Sequence, residues 1–546
     1  MNRVAGGGDA DIPLLRPPPF PGARPVLSRS RIGDGPSPLD ESWIEHLFAA
    51  IREGQVGGRF WSLPARTTGH RVVIRANSAA EIDQQLARLG APERESALGL
   101  LPTDDIDPWS VLKEGVRLIA HGDDEWSALA LIAGCSVDCL SAGRWGAPGA
   151  SKGRMRRDVA SALTARGYRD PFTGHDCGIE ATIVQLADWR RTFAANRGIV
   201  AACGIAWWKR REIARFLWTP EHRLRFFRSE RRAIAHAARA AGAVAIWPSR
   251  VSPAMANAAH ASAVPLVRVE DGFVRSVGLG SQLVPPSSVA VDRIGIHYDP
   301  EKPSDLETLL ARADFPSSLL ERAARLQRAI LAAGISKYGG DEAHAFPQRA
   351  TGRRLVLVPG QVEDDMSVRL GGGGLSSNLE LLRRARALEP DAEIWFRPHP
   401  DVDAGHRRGL VRDADAMRHA DRVVRGGAMA RLLDLVDSVH VLTSLTGFEA
   451  LLRGRAVTCH GTPFYAGWGL TRDLAPTPAR RRRVLTIDQL AAAVLILYPR
   501  YLDPVTGLPC PPEVLIDRMA DGAAHNRGGW ITRLRTIQGR LRKRQA

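Results

Sequence analysis

The chain has 546 residues, 44% of them apolar, and a net charge of +16, which is room for roughly three or four domains. Its six cysteines (Cys135, Cys139, Cys177, Cys203, Cys459 and Cys510) are scattered, without CxxC or Cys/His zinc spacing, which excludes a disulfide framework and a zinc site. No stretch approaches the ~20 apolar residues of a membrane span, no amino-terminal signal pattern is present, and no nucleic-acid motif accompanies the charge.

The expected place is therefore the cytoplasm, peripheral to the inner face of the membrane. The charge points to anionic substrates or an anionic membrane surface, with no nucleic acid. Residues 1–40 are rich in Gly, Pro and Arg and read as a disordered leader. Residues 41–195 have α/β texture, with helices near 42–52, 80–89 and 126–133 and strands at 71–75 and 116–120. From 196, Ala206-Trp-Trp-Lys-Arg-Arg leads a basic helix. Strand 244–247, helix 253–261 and strand 266–269 make a βαβ unit whose last strand ends in Glu270-Asp271-Gly272. A strand at 289–292 and helices at 304–312 and 316–333 complete the domain 196–345, with a hinge at Ser336-Lys337-Tyr338.

A second unit runs from 346 to 515. Leu355-Val-Leu-Val-Pro, Glu393-Ile-Trp-Phe-Arg and Val439-His-Val-Leu are short apolar runs that stop abruptly at polar residues. Such runs read as buried parallel strands, and open α/β sheets bind ligands just beyond the carboxyl ends of their strands. The third run continues into a helix from Leu445 whose amino end, with Thr443, Ser444, Thr446 and Gly447, is suited to a phosphate. Ser377 and Glu380 have capping-box spacing. The Gly371–Gly374 run reads as a mobile loop and Arg480–Arg483 as a solvated charge run. The tail 516–546 places Trp530, Ile531, Leu534, Ile537 and Leu541 at helical spacing among basic residues, a pattern suited to an anionic membrane surface.

An internal repeat crosses these boundaries. Tyr168-Arg-Asp-Pro-Phe-Thr-Gly-His-Asp-Cys177 matches Tyr501-Leu-Asp-Pro-Val-Thr-Gly-Leu-Pro-Cys510 at six of ten positions. Upstream, Glu125-Trp-Ser127-Ala-Leu echoes Gly447-Phe-Glu449-Ala-Leu if a two-residue insertion is allowed. This alignment sets Ser127 where the second copy has Glu449. Residues 41–195 are thus expected to be a partial first copy that kept its packing and lost its chemistry.

Two α/β units with acids at one strand end and a phosphate-ready helix in the other imply two Rossmann-like domains facing a cleft, the GT-B arrangement of nucleotide-sugar glycosyltransferases. The motifs carry a more specific likeness. Arg268-Val-Glu-Asp-Gly-Phe-Val-Arg275, Gly295-Ile-His-Tyr-Asp299, Ser336-Lys-Tyr, Val358-Pro-Gly-Gln-Val-Glu-Asp-Asp365, Arg397-Pro-His-Pro-Asp401, Thr443-Ser-Leu-Thr-Gly-Phe-Glu449 and Pro463-Phe-Tyr-Ala-Gly-Trp-Gly-Leu470 resemble the KpsC type of the capsule polysaccharide biosynthesis family, over about 200–510. The resemblance implies a retaining transferase that moves Kdo (3-deoxy-D-manno-octulosonic acid) from CMP-Kdo to a lipid-linked acceptor in capsule synthesis. It implies no metal and no cofactor beyond the donor substrate. Partners would be the glycolipid acceptor, a second Kdo transferase and the capsule export machinery.

By the same resemblance Asp365 is the nucleophile of a double displacement; an aspartate there could also simply cap the next helix. Glu270 or Asp271 would serve the acceptor hydroxyl as acid or base. Glu270 is favoured, although strand alternation leaves open which one enters the cleft. His399 would stand by the leaving phosphate or the sugar. Arg397, Arg275 and Lys337 would hold carboxylate or phosphate, Gln361, Thr443, Ser444, Thr446 and Gly447 the phosphate region, and Glu449 the ribose. His297 stands where the family commonly has Tyr, which bears on acceptor fit. The rival readings are a non-catalytic assembly scaffold and a nucleotide-sugar epimerase of the same architecture.

Overall fold

The computed structural model describes residues 12–30, 40–274, 285–335, 346–349 and 352–522. The chain forms two compact units: one up to Arg197 together with Trp218–Arg223, the other Gly198–Leu217 and the residues from Leu224 onward. Among the described residues no helix is long and apolar enough to cross a membrane. The expected hinge at 336–338 and the amphipathic tail from 527 lie outside the described residues.

The first unit opens with β1 (Ser28–Ser30), inside the segment expected to be a disordered leader. That expectation fails for residues 12–30. Leu14, Leu15, Phe20 and Leu27 are buried, and the Phe20 ring lies 5.0 Å from Trp189 and 4.8 Å from Trp218. Composition averages hide four apolar side chains placed between prolines, and these suffice to anchor the segment. Strands β2 (Val72–Arg75), β3 (Ala97–Leu100), β4 (Arg117–Ala120) and β5 (Ser136–Cys139) form a parallel sheet in the order β3-β2-β4-β5. Strands β6 (Arg166–Arg169) and β7 (Asp176–Cys177) join β1 in an antiparallel sheet ordered β1-β6-β7.

The second unit holds two sheets. Its strands are β8 (Ile199–Cys203), β9 (Arg225–Phe227), β10 (Ala243–Ile246), β11 (Leu266–Asp271), β12 (Ser288–Asp292), β13 (Leu355–Pro359), β14 (Glu393–Arg397), β15 (Arg422–Val423), β16 (Ser438–Val441), β17 (Ala456–Cys459), β18 (Arg472–Asp473), β19 (Pro499–Leu502) and β20 (Pro509–Cys510). The seven-stranded sheet runs β20-β19-β12-β11-β10-β8-β9 and the six-stranded one β15-β14-β13-β16-β17-β18. Every pair in the six-stranded sheet is parallel, and every residue of β13 and β14 is buried, as two-sided burial of a parallel strand requires.

The expected domain 346–515 therefore loses its last strands. β19 and β20 return to the other sheet, where β19 pairs antiparallel with β12. The crossing is made by helix Ile487–Ala491 and the wider π-type turns Ala492–Leu497. Residues Leu490–Leu495 are buried without a break, so this stretch is core on all sides rather than an amphipathic surface helix.

The repeat is deeper than its sequence match. The order β14-β13-β16-β17 reproduces β3-β2-β4-β5. Tyr168 pairs with Cys177 as Tyr501 pairs with Cys510, and Ser28 pairs with Tyr168 as Ser288 pairs with Tyr501. Asp170 and Asp503 each accept from two backbone N–H groups and a threonine hydroxyl of the following turn. The two-residue insertion, however, is not there. Helix Glu125–Ala133 runs from cap Asp124 to Gly134, and helix Leu445–Leu452 from cap Ser444 to Gly454, the same spacing. Asp124 thus corresponds to Ser444, Ser127 to Gly447, and Leu129, not Ser127, to Glu449. Caps fix helix register more firmly than a short identity match.

Two loop expectations also change. Gly371 and Gly372 are not a mobile loop: Gly371 ends helix Met366–Gly371 and its carbonyl accepts from Thr462 N at 2.7 Å. A Cβ on Gly372 would lie 2.3 Å from the Leu375 carbonyl oxygen. In the arginine run, Arg481 is buried rather than solvated. It gives Nε to Glu307 at 2.9 Å and Nη1 to the carbonyls of Pro463 and Ala466 at 2.8 Å each, while Arg480 also pairs with Glu307. Arg481→Ala strands a buried carboxylate with half its partners, and is expected to cost roughly 3 kcal/mol in urea unfolding; Arg482→Ala, on an exposed side chain, should change little.

Candidate functional site

Strand ends of the second unit converge on one cavity of about 460 Å³. From the seven-stranded sheet come Glu270 and Asp271, the last residues of β11. From the six-stranded sheet come Gln361 and Asp365 after β13, Arg397 and His399 at the end of β14, and Thr443, Ser444, Thr446 and Glu449 after β16. Parallel strands end on the same side of their sheet, so segments far apart in sequence deliver their polar ends together.

The helix-cap reading of Asp365 holds, and the residue also faces the cleft. It caps helix Met366–Gly371, with Oδ1 accepting from Ser367 N at 3.0 Å and Ser367 Oγ at 2.8 Å, and it lines the cavity. Those two bonds orient the carboxylate and leave Oδ2 as the oxygen turned to other uses. Asp364 stands apart in an exposed ion pair with Arg407. His399 caps the turn Pro400–Asp403, and its Nδ1 accepts from Asp401 N at 3.2 Å. An accepting Nδ1 puts the ring proton of the neutral imidazole on Nε2.

Both Glu270 and Asp271 reach the cavity, but they differ. Asp271 is paired with Lys209 Nζ at 2.8 Å. Burial, the neighbouring Asp271 charge and the Asp365 charge push Glu270 up to about 8, against a smaller pull from Lys209. Tyr298, whose buried hydroxyl lies beside Glu270, is pushed up by burial and by the Glu270 and Asp365 charges. Arg397 donates Nη2 to the Gly427 carbonyl at 2.7 Å, while its Nη1 is buried and unpartnered. A guanidinium nitrogen left so has an anion's place beside it.

Gln361 is a strut as well as a lining residue: its Oε1 accepts from Leu442 N and Thr443 N, and its Nε2 donates to Thr443 Oγ1. Ser444 Oγ caps Thr446 N at 3.2 Å and Glu449 lies buried in the wall. Gly447 does not belong with them. Its N–H is taken by the Ser444 carbonyl, and a Cβ there would meet the Tyr465 hydroxyl at 2.2 Å; it is glycine to let Tyr465 in. Arg275 and Lys337 lie outside the described residues. Sequence reasoning missed Lys209, Trp208 and Trp247, which line the cavity beside β11. The Trp-Trp-Lys string is visible in the sequence, where it reads as the lead of a basic helix. His297 also lines the cavity, edge-on to Phe273 at 4.9 Å.

The first unit shows the same framework without the site. Arg75 ends β2 and its Nε reaches Asp124 Oδ2 at 2.7 Å, both side chains buried. Asp124 caps the helix where Ser444 stands in the second copy, and fully buried Leu129 replaces Glu449. β3, the counterpart of β14, ends in Leu100, so the first unit has no arginine at the Arg397 position.

Two Rossmann-like sheets whose strand ends meet across a ligand-sized cleft define a GT-B-like fold. A family model described as capsule polysaccharide biosynthesis protein matches residues 242–501. The lipopolysaccharide-processing protein LpsZ of Rhizobium meliloti is 40% identical over 331 residues, 59% of this chain and 74% of that one. The capsule polysaccharide modification protein LipA of Neisseria meningitidis serogroup A is 40% identical over 348 residues, 64% of this chain but 49% of that one, so the chain spans about half of that relative. The solved structure of Thermosulfurimonas dismutans KpsC, beta Kdo 2,4 transferase, is 32% identical with a TM-score of 0.50, covering 59% of this chain and 98% of that one. The chain belongs to the capsule polysaccharide biosynthesis family, among its KpsC-type members.

Two measurements test this geometry directly. Glu270 titrates near its ordinary 4.5 when unfolded and about 8 when folded, so the folded state holds the extra proton between those values and loses stability as pH rises through them. Glu270→Gln should therefore melt close to the parent at pH 4 and clearly above it at pH 9, by differential scanning fluorimetry. Gly447→Ala should cost about 1–3 kcal/mol through overpacking, and Tyr465→Phe in the same chain should recover part of that loss.

Proposed function

We propose that the chain is a retaining glycosyltransferase that moves Kdo from CMP-Kdo to a lipid-linked acceptor during capsule synthesis. The observation that carries the reading is one cleft in which the Asp365 carboxylate, the Glu270 carboxyl of raised proton affinity and the unpartnered Arg397 nitrogen meet across two sheets. The family membership and the similar KpsC transferase support the chemistry.

In this mechanism Arg397 takes the anionic part of the donor, carboxylate or phosphate, through a charge-assisted pair. Glu449 and the Thr443–Thr446 segment receive the nucleotide. Asp365 Oδ2 forms a bond to the anomeric carbon as the carbon–oxygen bond to CMP breaks, and CMP departs with the bonding pair. The leaving phosphate needs no proton, and His399 Nε2–H can hydrogen-bond it. The acceptor hydroxyl then bonds to the same carbon from the opposite side, the Asp365 ester bond breaks, and the hydroxyl proton passes to Glu270. Two inversions restore the anomeric configuration. A single intact site would make one linkage type, so an alternating product would need a partner transferase.

The test is incubation of purified protein with CMP-Kdo and a glycolipid acceptor mimic. Transfer is expected, with Asp365→Ala abolishing it while CMP-sugar binding stays measurable. Glu270→Gln should slow turnover about 10²–10⁴-fold and accumulate one sugar mass on the peptide carrying Asp365. Full turnover by Asp365→Ala sinks the nucleophile assignment. Conversion of the sugar nucleotide with no acceptor present would identify an epimerase instead.

A further inference from the structure

Lys209 closes the turn Trp207–Lys209 and is the one buried lysine among the described residues. Its side chain is only 8% exposed, with Nζ 2.8 Å from Asp271 Oδ1. The ammonium lies 3.6 Å from the Trp247 ring centroid and 5.1 Å from that of Trp208. A buried ammonium is held only where charge partners and ring faces replace water, and this one has a carboxylate and two indoles. The two rings leave it little freedom to move away from Asp271.

The consequence concerns the next residue. Glu270 and Asp271 are adjacent carboxylates at one strand end, and the Asp365 charge acts on Glu270 from the other half of the cleft. Such groups cannot all be ionised at low cost, and their proton affinities separate. The groups acting on Glu270 are Asp271 on its own strand, Lys209 from the turn, Asp365 after β13 and Tyr298 after β12. Arg397, His399 and Glu449 line the same cavity. Of the two adjacent carboxylates, Asp271 is the one that Lys209 meets directly.

We propose that Lys209 is a positioning residue: by pairing with Asp271 it leaves Glu270 as the carboxyl that exchanges the cleft's proton, and so selects Glu270, not Asp271, as the group that takes the acceptor's proton. The last clause rests on the transferase reading above; the electrostatic part does not. Asp271 then acts as a fixed charge that raises the basicity of its neighbour, and Lys209 sets how far.

The experiment reads Glu270 itself. Stability of the full chain is followed against pH with and without Glu270→Gln, and the pH at which the difference levels off is the folded midpoint of Glu270. In Lys209→Met, which removes the cation, that midpoint should move up by about one pH unit. In Asp271→Asn, which removes the neighbouring anion, it should move down by at least as much. Lys209→Arg should keep it close to the parent. An unmoved midpoint in Lys209→Met, or movement in the opposite direction, overturns the proposal. Should Lys209→Met not fold, an unmoved midpoint in Asp271→Asn does the same. The pH–rate limb for transfer should follow these midpoints. If the midpoints move as stated and no variant nor the parent transfers sugar, the electrostatic assignment stands and the transferase reading falls.

Discussion

Crowded negative charge is the constraint on which the cleft depends. Glu270, Asp271 and Asp365 meet at the ends of strands from two different sheets, where burial makes each charge expensive and each neighbour makes it more so. The structure answers each carboxylate differently. Asp365 is stabilised by the two donors of Ser367 at a helix start. Asp271 is met by an ammonium clamped between tryptophans. Glu270, with no cation bonded to it among the described residues, is pushed up to about 8 and can exchange a proton near neutral pH. Three chemically similar groups thereby acquire three different surroundings.

The opposite charge is arranged with the same economy. Arg397 is fixed through one nitrogen to the Gly427 carbonyl and keeps another buried nitrogen unpartnered. The first unit lacks this arrangement: Leu100 ends β3, the counterpart of β14, Leu129 stands at the Glu449 position, and the arginine at the end of β2, Arg75, is paired with Asp124. Strand order, pairing register and the aspartate-centred turn are the same in both copies. Packing and binding are therefore separable: a few residues at the strand ends were changed, and the sheet beneath them did not respond.

Much of this was legible before any coordinates. The runs ending at Pro359, Arg397 and Val441 announced themselves as parallel strands, because a doubly buried strand has no reason to alternate. The residues just past them announced a binding edge. Less visible were features whose cause is distant in sequence. Gly447 looked like part of a phosphate loop, yet it is small because Tyr465 needs the space. The run Arg480–Arg483 looked solvated, yet Arg481 is buried on Glu307. Residues 12–30 looked disordered, because an average over composition cannot show that Phe20 meets Trp189 and Trp218.

Local pattern was enough to establish an α/β chain, its two mutually similar parts and the acids, arginine and histidine at the strand ends, since hydrophobic period and turn residues act over a few positions. Folding alone decided that Lys209 belongs to the cleft, that β19 and β20 return to the first sheet of their unit, and that Glu449 corresponds to Leu129 in the repeat. Those outcomes depend on which surfaces and charges come together in space, and no short window of residues contains that information.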